Sequence, residues 1–81
     1  MEELIEFLAK SLVDNPDEVR TRTLNRSRDD RDPQTVIELE VAPEDLGKVI
    51  GRQGRTARAL RTLLAAAAQR SRRRYSLDIV D

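Results

Sequence analysis

The chain has 81 residues, is 38% hydrophobic and 37% charged, and carries equal numbers of acidic and basic side chains. A chain this short buries only about 60% of its unfolded surface, so we expect a single small domain over residues 1–81. It contains neither cysteine nor histidine, so we expect no disulfide, no metal or other cofactor, and no enzymatic activity. It also lacks an apolar run near the roughly 20 residues that span a bilayer, and a secretion signal, which favours a cytoplasmic location.

The first 16 residues predict a helix that ends before a proline. Residues 2–13 place apolar side chains at helical spacing, with Phe7 widening the apolar side: Leu4, Ile5, Leu8, Leu12 and Val13. Pro16 pushes the residue before it out of the helical region, so the helix must end there. We interpret this helix as one that covers the core; a partner-binding face is the alternative.

Two strands follow, separated by a charged turn. Residues 18–27 alternate roughly with period two, but Leu24 falls on the arginine side, which indicates a bulged or an edge strand. Residues 28–33 predict a solvated turn. The next strand, residues 35–41, is clearer because Ile37, Leu39 and Val41 share one face while glutamates occupy the other.

The second half predicts two helices and a closing strand. Pro43 and two acids begin a helix of about two turns, which Gly51 ends. A longer helix follows, with Leu60, Leu63, Leu64, Ala67 and Ala68 along one face. Arginines at 70 and 72–74 mark its end, and residues 75–80 form a strand with Tyr75, Leu77 and Ile79 on one face. The order α-β-β-α-α-β predicts an α+β fold, with three helices on one face of an antiparallel-rich, three-stranded sheet.

A glycine loop stands between the two later helices. Gly51 and Gly54 bracket Arg52 and Gln53; such glycines allow unusual φ angles and close approach of a ligand, and a helix N-terminus attracts phosphate. Residues 1–45 hold thirteen acids and six bases, whereas residues 46–77 hold nine bases and no acid. Because salt screens surface charges beyond about 10 Å, this local excess governs phosphate binding. The loop therefore predicts a site that contacts a phosphate chain.

We expect the loop and the basic side chains around it to contact phosphate, and the resemblance described in the next paragraph implies that the aliphatic residues before it line a groove for bases. The predicted RNA-binding residues are Lys48, Val49, Ile50, Gly51, Arg52, Gln53, Gly54, Arg55, Arg58 and Arg61.

The stretch from 45 to 61, Asp-Leu-Gly-Lys-Val-Ile-Gly-Arg-Gln-Gly-Arg-Thr-Ala-Arg-Ala-Leu-Arg, together with the element order, resembles the type II, prokaryotic KH fold. It is most similar to the KhpA family of small bacterial proteins made of one KH domain, over essentially the whole chain. The loop of a KH domain clamps about four nucleotides. By this resemblance the loop is residues 51–54 and the groove includes Val49 and Ile50. Arg52 stands where the family more often has lysine, and adds bidentate phosphate geometry.

The resemblance also implies a biological role and partners. It implies an RNA chaperone or post-transcriptional regulator, linked to cell elongation and division, that self-associates. It further implies a heterodimer with KhpB, a larger protein that carries a KH domain and a second nucleic-acid-binding domain.

Two alternatives remain open beside RNA binding. One is a dimerisation or scaffold module with little RNA binding, and the other is a helix–turn–helix DNA binder. The basic, acid-free loop argues against the first, and the strands on both sides of the helix pair argue against the second. Phe7 and Tyr75 are the only aromatic residues, too few for a base-stacking platform. The four alanines at 65–68 have small side chains that allow close packing, and we expect this surface to contact a second copy in a homodimer.

Overall fold

The computed structural model describes residues 1–25, 34–71 and 74–80 and confirms the predicted order of elements. The elements are α1 (Glu2–Leu12), β1 (Arg20–Asn25), β2 (Gln34–Glu40), α2 (Leu46–Ile50), α3 (Arg55–Ser71) and β3 (Arg74–Ile79). Short 3₁₀ turns occupy Pro16–Glu18, Pro43–Asp45 and Arg52–Gly54. The turn predicted at 28–33 and two of the arginines predicted at the helix end, 72 and 73, lie outside the described residues.

The three strands form a mixed sheet with β2 in the middle. β1 runs antiparallel to β2, from the pair Arg20 and Glu40 to the pair Asn25 and Thr35. β2 and β3 are parallel, because the chain crosses over between them through α2, the glycine loop and α3. The expected antiparallel pairing therefore holds for one of the two strand pairs.

β1 is an edge strand, and its register across residues 20–25 contains no bulge. Its helix-facing side is polar: the Thr21 hydroxyl donates to Glu2 of α1 at 3.2 Å, and the Thr23 hydroxyl donates to the same carboxylate. Leu24 lies instead on the outer face, opposite Val36, which is buried. Of the two explanations for the position of Leu24, the edge strand is confirmed.

One hydrophobic core lies between the sheet and the helices. Its centre is formed by Ile37 and Leu39 of β2 with Leu77 of β3, as the alternation of the strands predicts. From the helices it takes Ile5, Ala9, Val49, Leu60 and Leu64. The opposite face of the sheet carries Arg22, Glu40 and Asp78, all exposed, so the three helices cover the same face.

The structure corrects four of the predicted apolar positions in the helices. Leu4, Phe7, Leu12 and Leu63 are 37%, 68%, 41% and 50% exposed. Ala9 and Ala57, which were not singled out, are buried. Both helices carry apolar residues around more than one face, and the faces that pack on the core combine alanines with Ile5, Leu60 and Leu64. No helix in the described part of the chain is long and apolar enough to cross a membrane.

Candidate nucleic-acid interface

The glycine loop is a tight turn in which three of four residues have a positive φ. Gly51 has φ 77° and ψ 171°, a combination almost restricted to glycine. Gln53 (φ 58°) and Gly54 (φ 75°) are also on the positive side. The N–H of Gly51 donates to the Gly47 carbonyl at 2.8 Å, and the N–H of Gly54 donates to the Gly51 carbonyl at 3.1 Å. Backbone hydrogen bonds therefore close the turn at both glycines.

The two loop glycines are required for different reasons. A Cβ on Gly51 would lie 2.3 Å from Oγ1 of Thr56 and 2.8 Å from its backbone nitrogen. A Cβ on Gly54 would meet nothing within 4 Å. Gly51 is therefore required for packing within the protein as well as for its φ. The space beside Gly54 is open, and a ligand backbone can approach it closely.

Unneutralised cations surround the loop. The predicted contacts Arg52, Arg55, Arg58 and Arg61 are all exposed, and none is in an ion pair with a carboxylate of residues 1–25, 34–71 or 74–80. The Arg55 guanidinium donates to the Gln53 side-chain oxygen at 3.3 Å, which orients both residues at the loop exit. This part of the surface can therefore accept phosphate without first breaking an ion pair.

The arginines of α3 form a strip that leads from the loop towards β3. Arg55, Arg58 and Arg61 follow one another at three-residue steps, about 4.5 Å apart along the helix axis. Continuing this flank leads to Ala65 and Gln69, which line a hollow with Tyr75 of β3. The opposite flank, with Ala66, Ala67 and Arg70, lies beside Met1 of α1. The two flanks of α3 thus face different surroundings, and the arginine strip belongs to the β3 side.

The predicted aliphatic groove is only partly exposed. Val49 has no exposed surface and belongs to the core, so it supports α2 from beneath and offers nothing to a base. Ile50 is half-buried. Gly47 was not singled out, yet it is exposed and its Cβ position is open. A glycine inside a helix costs roughly 0.5–1 kcal/mol relative to alanine, and no contact in the fold requires this one. We include it in the candidate interface.

Lys48 lies in a different environment from the arginines. Its ammonium donates to the Asp14 carboxylate and is 3.7 Å from Oδ1 of Asp45. The hydrogen bond to Asp14 raises the pKa of Lys48 above its ordinary value, and the charges of both aspartates act in the same direction. Any contact between Lys48 and a phosphate would have to compete with these carboxylates.

Asp45 is the one buried charged residue in the described part of the chain. Its carboxylate accepts hydrogen bonds from the Asn15 backbone at 2.9 Å, the Asn15 side chain at 3.0 Å and the Asp14 backbone at 3.3 Å. Burial raises the pKa of Asp45, but these bonds and Lys48 outweigh it, so the pKa lies below its usual value. The ionised form therefore stabilises the fold above the pKa range of an ordinary aspartate, and this contribution is lost as the pH falls through the lowered value.

Comparison with known proteins places this arrangement in a family. The model of the KhpA/KhpB KH domain matches residues 2–79. The chain belongs to the KhpA/KhpB KH-domain family. The protein named RNA-binding protein KhpA from Halalkalibacterium halodurans is 51% identical over 81 residues, with both chains fully covered. The protein of that name from Streptomyces coelicolor is 51% identical over 83 residues, which cover all of this chain and 92% of the relative.

A third relative with the same name, from Borreliella burgdorferi, is 49% identical over 79 residues, covering 98% of this chain and 90% of its own. No solved structure matches the chain. The resemblance seen in the sequence is confirmed, and the turn at residues 51–54 lies within the part of the chain that matches the family. Among the described residues, no group of acidic side chains is placed to hold a metal ion.

Proposed function

We propose that residues 1–81 form a single KH domain that binds single-stranded RNA through the loop at 51–54 and the arginine strip of α3. The observation that carries this proposal is the loop itself, a tight backbone turn that is open at Gly54 and surrounded by exposed arginines, which form no ion pair with a carboxylate of the described residues. The relatives named RNA-binding protein KhpA support it. We further propose that the protein acts in the cytoplasm, as a regulator of RNA rather than as an enzyme.

Binding would begin with the RNA backbone. The loop offers close approach at Gly54, and Arg52 projects from its exposed tip. Guanidinium groups hold phosphate in a planar, bidentate geometry, so Arg55, Arg58 and Arg61 can receive successive phosphates along α3. Bases would then lie beside Ile50 and Gly47, with the outer edge of β3 available for hydrogen bonds to base edges. Loops of this kind clamp about four nucleotides.

The helix–turn–helix alternative fits the structure less well. α2 has five residues, Leu46–Ile50, which is too short to act as a separate packing helix across a DNA backbone. α3 packs against β3 and forms part of the crossover between two strands. The helices are therefore parts of a sheet-based fold, and single-stranded RNA remains the better ligand.

The salt dependence of binding tests the proposed phosphate contacts. If the four arginines each contact one phosphate, log K against log salt should have a slope of about −3 for a single strand. Fluorescence anisotropy of a labelled RNA oligonucleotide between about 50 and 200 mM salt measures it. Arg22→Gln, on the outer face of the sheet, should leave the slope unchanged. A slope near zero would contradict the phosphate clamp, and equally tight binding of duplex DNA would favour the helix–turn–helix alternative.

We also propose that the chain forms a homodimer and pairs with KhpB, as the family resemblance implies. The surface predicted for the dimer is smaller than the sequence indicates, because Ala68 is buried and Ala67 is half-buried. Larger apolar side chains are exposed on the helices instead: Phe7 is 68% exposed and Leu63 is 50% exposed. Burying such side chains between two chains removes apolar area from water, which favours association.

Sedimentation equilibrium at tens of micromolar should give about twice the chain mass of 9.2 kDa. Phe7→Lys and Leu63→Lys should each shift the mass towards the monomer, because a lysine cannot be buried without a partner. Val80→Lys is the matched control, since Val80 is 40% exposed and lines a hollow with Arg22 and Glu40 of the outer face of the sheet. A parent protein that sediments as a 9.2 kDa monomer would contradict the homodimer.

A further inference from the structure

α2 is too short to hold its own position. It has five residues, Leu46–Ile50, of which only Val49 is fully buried. Isolated helices shorter than about 12–15 residues are marginal in water, so the orientation of α2 depends on its contacts with the rest of the fold. That orientation matters for binding, because the last residue of α2 leads directly into Gly51.

Asp45 connects the beginning of α2 to the end of α1. It occupies the N-cap position of α2, yet its side chain makes no hydrogen bond to the helix it precedes. The carboxylate extends instead to the turn after α1 and accepts the backbone N–H groups of Asp14 and Asn15 at 3.3 and 2.9 Å. A buried carboxylate is tolerated only when it is paired and hydrogen-bonded, so its position is strongly constrained.

Lys48 completes the connection from one turn further along α2. Its ammonium lies between Asp45, at 3.7 Å, and the carboxylate of Asp14. The Lys48 and Asp14 side chains are 41% and 76% exposed, whereas Asp45 is enclosed. We call Asp14, Asp45 and Lys48 the α2 tether. Its two exposed members can be changed without opening the core.

We propose that the α2 tether positions the glycine loop, and that Lys48 affects RNA affinity through this tether and not as a phosphate ligand. The proposal rests on the proposed function, since it concerns the same loop. It assigns Lys48 a different role from the phosphate contact that the sequence predicts. A loop held in its bound shape avoids the cost of ordering when RNA binds, so loosening the tether weakens binding without removing any contact to RNA.

Asp14→Asn separates the two roles because they predict opposite signs. If Lys48 were a phosphate ligand, Asp14 would compete for it and repel RNA, and Asp14→Asn would tighten binding. If the tether positions the loop, Asp14→Asn weakens binding, although it removes a negative charge. We expect Asp14→Asn and Lys48→Met each to weaken RNA binding by roughly two- to fivefold, the range of an exposed ion pair. The double variant should be no weaker than the weaker single variant.

The salt slope gives a second, independent distinction. Removing a phosphate contact reduces the magnitude of the slope by about 0.7 for a single strand. Arg52→Met should show this reduction, whereas Lys48→Met should leave the slope of the parent. A change elsewhere in the fold that only destabilises the protein would alter neither the RNA affinity nor the salt slope at temperatures well below melting.

Amide hydrogen exchange of the free protein tests the tether without RNA. In Asp45→Asn, the amides of Gly51 and Gly54 should exchange at least tenfold faster than in the parent, and should accelerate more than the amides of β2. Ile5→Val is the control, because Ile5 is fully buried in α1, and it should not accelerate the amides of the loop more than those of β2. If Asp45→Asn does not fold, the same comparison is made with Asp14→Asn and Lys48→Met.

The loop variant Arg52→Asp with Gln53→Asp serves as the reference in every binding assay. Weaker binding by Asp14→Asn and Lys48→Met, with the parent slope and faster loop amides, supports the tether. Tighter binding by Asp14→Asn, a slope reduced by about 0.7 in Lys48→Met, or unchanged affinity in both overturns it. If the reference variant itself binds RNA like the parent, the proposed function fails, and amide exchange alone then decides whether the tether holds the loop.

Discussion

Arg52→Asp combined with Gln53→Asp is expected to lower the affinity for single-stranded RNA at least tenfold, with a nearly unchanged melting curve. Both side chains are exposed, where substitutions usually change stability by less than about 0.5 kcal/mol. Gln53 already has φ 58°, a conformation that aspartate tolerates well. Both glycines remain, so the turn should still form.

The loss of affinity follows from charge. The double variant replaces one cation with two anions where phosphate should pass, and each lost or repelled charged contact costs on the order of 1 kcal/mol or more. A tenfold loss corresponds to about 1.4 kcal/mol. Anisotropy with a labelled RNA and a thermal melt followed by circular dichroism measure the two quantities on the same samples.

A matched control places the same change of charge on the outer face of the sheet. Arg20→Gln with Arg22→Asp also lowers the net charge by three, and both residues are exposed on β1. It should bind RNA within about twofold of the parent. If instead the loop variant melts normally and binds RNA like the parent, the loop is not the site. The scaffold function, or a site at the basic residues 70–74, should then replace the one proposed here.

Gly51→Ala is expected to lower the free energy of unfolding by about 3 kcal/mol or more. Two effects add: the φ of 77° with ψ of 171° disfavours any side chain, and the new Cβ would overlap Thr56, including its backbone nitrogen at 2.8 Å. For a domain of this size, the melting temperature should fall by roughly 12 °C or more.

Gly54→Ala provides the comparison, because its φ of 75° is nearly the same and its Cβ position is open. Its free energy of unfolding should fall by the cost of backbone strain alone, about 1 kcal/mol. Thermal melts of both variants separate conformational strain from overlap. Equal losses of stability in the two variants would contradict the predicted overlap between Thr56 and a Cβ at position 51.

The sequence was a good guide wherever a local pattern determines structure. Alternation around Ile37 and Leu39 located the central strand, and Gly51 marked the end of α2. The exposed loop with its arginines was predicted as well, because glycine placement and charge are visible residue by residue. The spacing of apolar residues could not indicate which flank of α3 faces the sheet, because apolar residues occur on more than one face. The sequence therefore predicts that Leu63 is buried, whereas the structure exposes Leu63 and buries Ala57.

Contacts between distant segments were the other limit. Asp45 was read as a favourable charge near a helix start, yet its hydrogen bonds go to Asp14 and Asn15, about thirty residues earlier in the chain. Lys48 counted among the free cations for the same reason, since its partner Asp14 is distant in sequence. These contacts of Asp45 and Lys48 become visible only in the folded structure. The open surface at Gly47 could have been inferred from the sequence, because a glycine within a predicted helix is unfavourable unless it has a specific role.

The parallel pairing of β2 with β3 has a consequence for how the protein is made. The elements proposed to hold RNA all lie in the crossover between these strands, and the backbone of Val80 closes it with a bond to the Leu39 carbonyl at 2.8 Å. Such long-range pairing forms late, because the intervening chain must first be ordered. During translation, α3 lacks its partner strand β3 until β3 has left the ribosome. The proposed RNA-binding surface should therefore be completed late in folding, after the loop itself has been synthesised.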